Sequence, residues 1–255
     1  MGDRHVQDAR RLLAESLAGP AGDGLVREAR AAVAELGCTR RLLPLVRELA
    51  AGVGDPSGCA LLSYRHVLGF DKLLLIDGGP RHMLRAHVWH PGRGTREDIH
   101  NHRSPLASYV VRGTLGMELY ETAEPGADEG AGGIDASWYR ESLSGEESDW
   151  LLEPAGGARL RLVQSAQYTA GSGYALPSHV LHRAWCVSAG PTVTLFLETG
   201  AGRRRYTDVF AGFGAEEPHT DDAAERGVAK KRLEVNDYLA ELSALAELLA
   251  DGPVD

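Results

Sequence analysis

From about Tyr64 onward the chain breaks into short runs rich in Val, Leu, Tyr and Thr: LLLID, MLRAHVWH, SYVVRG, LGMELYE, ARLRLVQSAQY and TVTLFLET. Glycine and proline separate them at GGPR, HPGRG, EPGADEGAGG, EPAGG and SAGP, so the middle of the chain reads as antiparallel strands joined by turns. ARLRLV alternates apolar residues with arginine, as a strand with one wet face does. Regular short strands of this kind predict a sandwich or barrel.

The flanks have a different period. ARRLLAESLAG, GLVREARAAVAELG and CTRRLLPLVRELAAG space their leucines and valines three or four apart and stop at glycine, which predicts three helices over residues 1–60. Strand texture fills 61–210 and is expected to end after Thr207. HTDDAAERG reads as an acidic connector, and the remainder of 211–255 ends in an amphipathic helix with Leu233, Tyr238, Leu242, Leu245, Leu248 and Leu249 on one stripe. That stripe has two places to go, the barrel or a second subunit in a homodimer. PGADEGAGG lacks the Lys and Ser or Thr of a phosphate-binding loop and reads as a surface loop.

Charge narrows the partners. With 27 Lys and Arg against 36 Asp and Glu the formal charge is −9, which excludes a broad nucleic-acid footprint and a polybasic membrane anchor and favours a small-molecule partner. No apolar run approaches the roughly 20 residues of a membrane span. The opening MGDRHVQDARR is charged with no apolar stretch behind it, so a cytoplasmic protein is expected. Cys38, Cys59 and Cys186 are odd in number and far apart, fitting neither a disulfide framework nor a paired-thiol zinc site, and are expected as buried small hydrophobes.

The sharpest feature is IHNHR. His100 and His102 flank one residue of an expected strand, and residues two apart on a strand share a face, so both imidazoles can converge on one point. PSHVLHRAW supplies a third, His182, about eighty residues later. Imidazole suits zinc, copper, iron and nickel, so ligand type alone does not choose the metal.

These residues resemble the two motifs of the cupin superfamily. Gly94, His100, His102 and Gly113 fall at the positions of the first motif, and Gly171, Pro177 and His182 at those of the second. Leu106 stands where the usual glutamate ligand would be, His179 replaces the second-motif glycine, and Cys186 its asparagine. The resemblance therefore implies a cupin-type antiparallel β-barrel (a jelly roll) with helical additions at both ends. Its site would be three histidines and no carboxylate.

A three-histidine cupin in which IHNH leads into a strand ending in glycine is similar to the cysteine dioxygenase-type thiol dioxygenases. The likeness spans about Phe70 to Glu198. It implies iron(II) as cofactor, with dioxygen and a small anionic substrate, such as a thiol or amino-acid derivative, as partners. Lys72 falls at the place of the arginine that grips the substrate's carboxylate, a point charge in place of a fork. Of the family's hydroxyl–imidazole–phenol relay only the hydroxyl survives, as Thr194; Phe196 and Glu198 take the other places. Leu106 also replaces the cysteine that crosslinks to tyrosine in some members. Two readings stand beside an oxygenase: a redox-neutral isomerase or lyase using the metal as Lewis acid, and a non-catalytic small-molecule-binding barrel.

Nearby groups carry expectations too. Tyr109 lies on the face opposite His102 and is expected to pack. His87 and Trp89 share one face of their strand and His90 takes the other; a satisfied structural histidine is the expected role, with one of the three lining the pocket as the alternative. His179 is second to the metal or exposed. Arg103 and Arg183, each following a proposed ligand, are expected to point away from it.

Overall fold

The computed structural model of the chain describes residues 2–19, 21–66, 69–92, 96–123, 133–143, 150–212, 226–228 and 231–251. Four helices come first: α1 (Arg4–Leu17), α2 (Asp23–Gly37), α3 (Thr39–Ala50) and α4 (Pro56–Leu61). Strands follow as β1 (Tyr64–Arg65), β2 (Phe70–Asp77), β3 (His82–Trp89), β4 (Ile99–His100), β5 (Leu106–Arg112), β6 (Thr114–Thr122), β7 (Ile134–Leu143), β8 (Trp150–Thr169), β9 (Gly173–Leu176), β10 (Leu181–Cys186), β11 (Thr192–Thr199), β12 (Thr207–Ala211), β13 (Arg226–Val228) and β14 (Lys231–Arg232). The last element is α5 (Val235–Ala250).

All strand pairs are antiparallel and fall into two seven-stranded sheets. The first runs β14-β1-β2-β3-β11-β5-β9 and the second β13-β8-β6-β10-β4-β12-β7, with β7 pairing back onto β8. A mainly β architecture of two antiparallel sheets with helices at both ends is thus what the chain forms.

Period-two alternation sorts the first sheet into two faces. On β11, Val193, Leu195 and Leu197 point outward into a core shared with α1, α2, α3 and α5, as Leu84, Ala86 and Val88 do on β3. Inward-facing Phe70, Trp89, Leu106, Val110 and Phe196 meet Leu115, Met117 and Ala184 of the second sheet. Each such fully buried leucine or phenylalanine contributes about 1.5–3 kcal/mol. The helical layer leaves one sheet face apolar and frees the other to build a cavity.

The stripe of α5 docks within the chain: Tyr238, Leu242, Leu245 and Leu249 join the helical core, and Tyr238 Oη donates to Leu74 O at 2.6 Å. Tyr109 faces outward and packs against α2. The two motif glycines have a conformational role, since Gly113 (φ 78°) turns β5 into β6 and Gly171 (φ 87°) sits in the β8–β9 turn.

Several expectations need correction. Strand structure does not end at Thr207, because β12 begins there and β13 and β14 follow. The polar segment IDASWYRESL is β7, and PSGCAL is the helix α4. Strands of two to five residues are too short to display a period, and β7 presents mostly exposed or half-exposed side chains. Of the cysteines only Cys59 is buried; Cys38 and Cys186 are partly exposed. Gly94 and most of the glycine-rich loop and acidic connector lie outside the described residues. Among the described residues, no helix is long and apolar enough to cross a membrane.

Candidate metal centre

β4 is two residues long and lies between β10 and β12. In that register His100 stands directly opposite His182 on one side and Val209 on the other. Directly opposed residues of an antiparallel pair share a face with Cβ atoms about 4.5–5.5 Å apart. One strand pairing thus joins two imidazoles remote in sequence, and their ring centres are 4.7 Å apart. His102 completes the group, 5.0 Å from His100 and 5.1 Å from His182 between ring centres. One ring nitrogen from each lies within 4.8 Å of the others, and no other trio of His, Cys, Asp or Glu among the described residues does this.

His102 reaches the group by a route the sequence pattern does not give. It lies beyond the end of β4, so the two histidines are not alternate residues of one strand. Its N–H donates to Ser178 O at 3.1 Å, and the buried residue between the two, Asn101, is tied to β12. Asn101 Nδ2 donates to Asp208 Oδ2 at 2.7 Å, and the Asp208 N–H donates back to Asn101 Oδ1 at 2.8 Å. Asp208 also accepts from Trp138 Nε1 at 3.1 Å and pairs with Arg204 at 2.8 Å. These donors hold its carboxyl below the usual carboxylate range against the opposing effect of burial.

Backbone carbonyls fix two of the rings. His100 Nδ1 lies 2.9 Å from Asp98 O and His182 Nδ1 lies 3.2 Å from Val180 O. A carbonyl only accepts, so each Nδ1 carries the proton and each Nε2 keeps its lone pair for a ligand. Burial lowers the pKa of His100 and of His182 to about 4 and that of His102 well below its usual value. Three neutral imidazoles, two with an enforced tautomer, fit a borderline divalent metal such as iron(II).

A cavity of about 610 Å³ opens in front of His100 and His102. Lys72 lines it, with its ammonium 5.2 Å from the Phe70 ring centre and 5.8 Å from that of Tyr64. Arg85 and Arg103 also line it, paired with Glu198 at 3.5 Å and Glu141 at 3.6 Å. Arg183 points elsewhere and pairs with Glu118 at 2.7 Å. Thr194 is buried, accepts from Trp89 Nε1 at 3.3 Å, and is not among the residues lining the cavity. His90 pairs with Asp71 at 2.7 Å, and His179 is exposed. Leu106 is packed in the inter-sheet core.

Two residues of the site went unread in the sequence, and one was read differently. Glu97 is a buried carboxylate in the cavity wall whose Oε2 accepts from the Ala184 N–H at 3.2 Å; burial raises its pKa, while Lys72 and His182 oppose the shift. A charged residue three before the histidine pair is its only sequence signal. Asp208 had none, since β12 is too short to announce itself. His87, expected to be a satisfied structural histidine, lines the cavity instead, and its buried Nε2 is bonded by no group among the described residues.

No protein-family model matches the chain, and no curated protein does. Solved structures similar to it include KdgF from Halomonas sp. (16% identity, 53% of this chain and 82% of that one, TM-score 0.31) and an RmlC-like cupin from Shewanella frigidimarina (15%, 55% and 83%, 0.33). A third is oxalate decarboxylase from Lactobacillus farciminis (12%, 58% and 32%, 0.34). At these values none bears on the role of a residue in this chain.

Proposed function

We propose that the chain is a metal-dependent oxygenase that binds iron(II) through His100, His102 and His182 and acts on a small anionic substrate with dioxygen. The observation that carries this is the convergence of three neutral imidazoles with, among the described residues, no carboxylate in the ligand group. Iron(II), when bound, supplies a Lewis-acidic, redox-active centre with positions left over for substrate and dioxygen. Three neutral ligands cancel none of the dication's charge, so an anion is favoured beside it.

The protein's own residues do the rest. Lys72 places a cation in the same cavity and holds the substrate's carboxylate as a point charge. Phe196, whose ring centre is 5.7 Å from that of His102, walls the inner end and limits water there. Asp98 and Val180 hold the ring protons of His100 and His182 away from the shared point. Thr194, hydrogen-bonded to Trp89, supports that wall from behind.

Glu97 favours a second reading. A buried carboxyl of raised pKa in the cavity wall is suited to carrying a proton, as a redox-neutral isomerase or lyase needs. Oxygen uptake during turnover separates the two: the oxygenase consumes dioxygen with substrate, and turnover without uptake assigns the redox-neutral chemistry.

A further inference from the structure

His87 lies on the inward face of β3, directly opposite Lys72 on β2 and Thr194 on β11. It is 6% exposed, stacks on Phe196 with ring centres 4.7 Å apart, and tilts against Phe70 at 5.6 Å. Its Nε2 is buried in the wall of the cavity lined by Lys72, His100 and His102, and no group among the described residues hydrogen-bonds it. A buried polar atom left without a partner costs stability and calls for an explanation. Phenylalanine here would keep both ring contacts without that cost, so packing alone does not account for the imidazole. Burial, with Lys72 and Arg85 close by, keeps the ring neutral, with one N–H and one lone pair.

We propose that His87 is a specificity-determining residue whose Nε2 hydrogen-bonds a hydroxyl on the carbon next to the substrate's carboxylate, which makes the substrate a 2-hydroxycarboxylate. The inference rests on the reading of Lys72 as the partner of that carboxylate. Directly opposed residues on antiparallel strands present their groups side by side, so the two functions they bind belong on neighbouring atoms of the ligand. A hydroxyl both donates and accepts, so it pairs with a neutral imidazole in either tautomer. Arg85, two residues along the same face, is paired with Glu198 and is not needed for this contact.

The test compares glycolate with acetate, which differ only in that hydroxyl, by calorimetry on the full chain loaded anaerobically with iron(II). Wild type is expected to prefer glycolate, and His87→Phe to reduce the glycolate-to-acetate ratio about tenfold, the order expected for one lost hydrogen bond. Acetate affinity should stay unchanged and the melting temperature should rise. Chelation of the metal by the hydroxyl is common to both proteins and cancels between their ratios. An unchanged ratio overturns the proposal; if His87→Phe does not fold, His87→Leu is compared in its place. Lys72→Met is expected to weaken both ligands alike and leave the ratio intact. Iron content is measured on the same samples, so loss of the metal reading shows separately; the ratios are then compared in the metal-free protein, where Lys72 and His87 remain.

Discussion

Asn101 and Asp208 are joined by three hydrogen bonds: the Asn101 N–H to Asp208 O at 3.1 Å, Asn101 Nδ2 to Asp208 Oδ2 at 2.7 Å, and the Asp208 N–H to Asn101 Oδ1 at 2.8 Å. Because Asn101 separates His100 from His102, this pair sets the spacing and direction of two candidate ligands from a strand that carries none. Asp208→Ala is expected to weaken metal binding about 10- to 100-fold, the usual cost of losing an outer support of a metal site. The orphaned donors of Asn101 and Trp138 should cost a further ~1–3 kcal/mol each in folding stability. Metal titration and thermal melts on one variant check both, and undiminished affinity would show that the histidines are placed without Asp208.

Gly37, the last residue of α2, lies against the ring of Tyr109 on the outer face of β5, and a Cβ there would collide with that ring. Gly37→Ala should therefore destabilise the fold by roughly 1–3 kcal/mol through overpacking. Gly19→Ala, which meets nothing within 4 Å, should be close to neutral. Denaturant melts decide between them, and metal content should be the same in both.

Metal-free protein should lose stability as pH falls from about 6.5 toward 4. His100 and His182, with pKa values lowered to about 4, stay unprotonated in the folded chain over this window, and burial lowers His82 and His87 in the same direction. Their unfolded counterparts take up protons near the ordinary value of 6.5, so unfolding binds protons and acid favours it. Above that value neither state binds them and this contribution is flat. Melting temperatures that stay level between pH 7 and 5 would contradict the assignment of buried neutral imidazoles.

Lys72→Met should weaken acetate binding by the iron-loaded protein about tenfold, a loss of ~1.4 kcal/mol, whereas Lys72→Arg should retain it. Calorimetry with acetate measures this directly. Equal affinity in wild type and Lys72→Met would remove Lys72 from the site.

The helices, the antiparallel strands and the three histidines were legible because each depends on a short-range pattern: leucines at helical spacing, alternation in β3 and β11, and imidazoles two apart. What stayed hidden depends on pairing between distant segments. No local period marks β12, whose five residues pair with β4 and β7, so Asp208 could not be joined to Asn101. His87 shows the same limit, since alternation gives its face but not that its Nε2 lacks a protein partner. His102 converges as expected but by a different cause: the Asn101–Asp208 pair, and not a continuous strand, carries it to the others.

The most direct test is the iron content of the chain after anaerobic loading with iron(II) and removal of unbound metal. Wild type should retain about one iron per chain, with His182→Ala retaining almost none while keeping the wild-type circular dichroism spectrum, since the ligand group found among the described residues is these three imidazoles. Wild type holding no iron, or His182→Ala holding as much as wild type, would contradict a centre built from His100, His102 and His182.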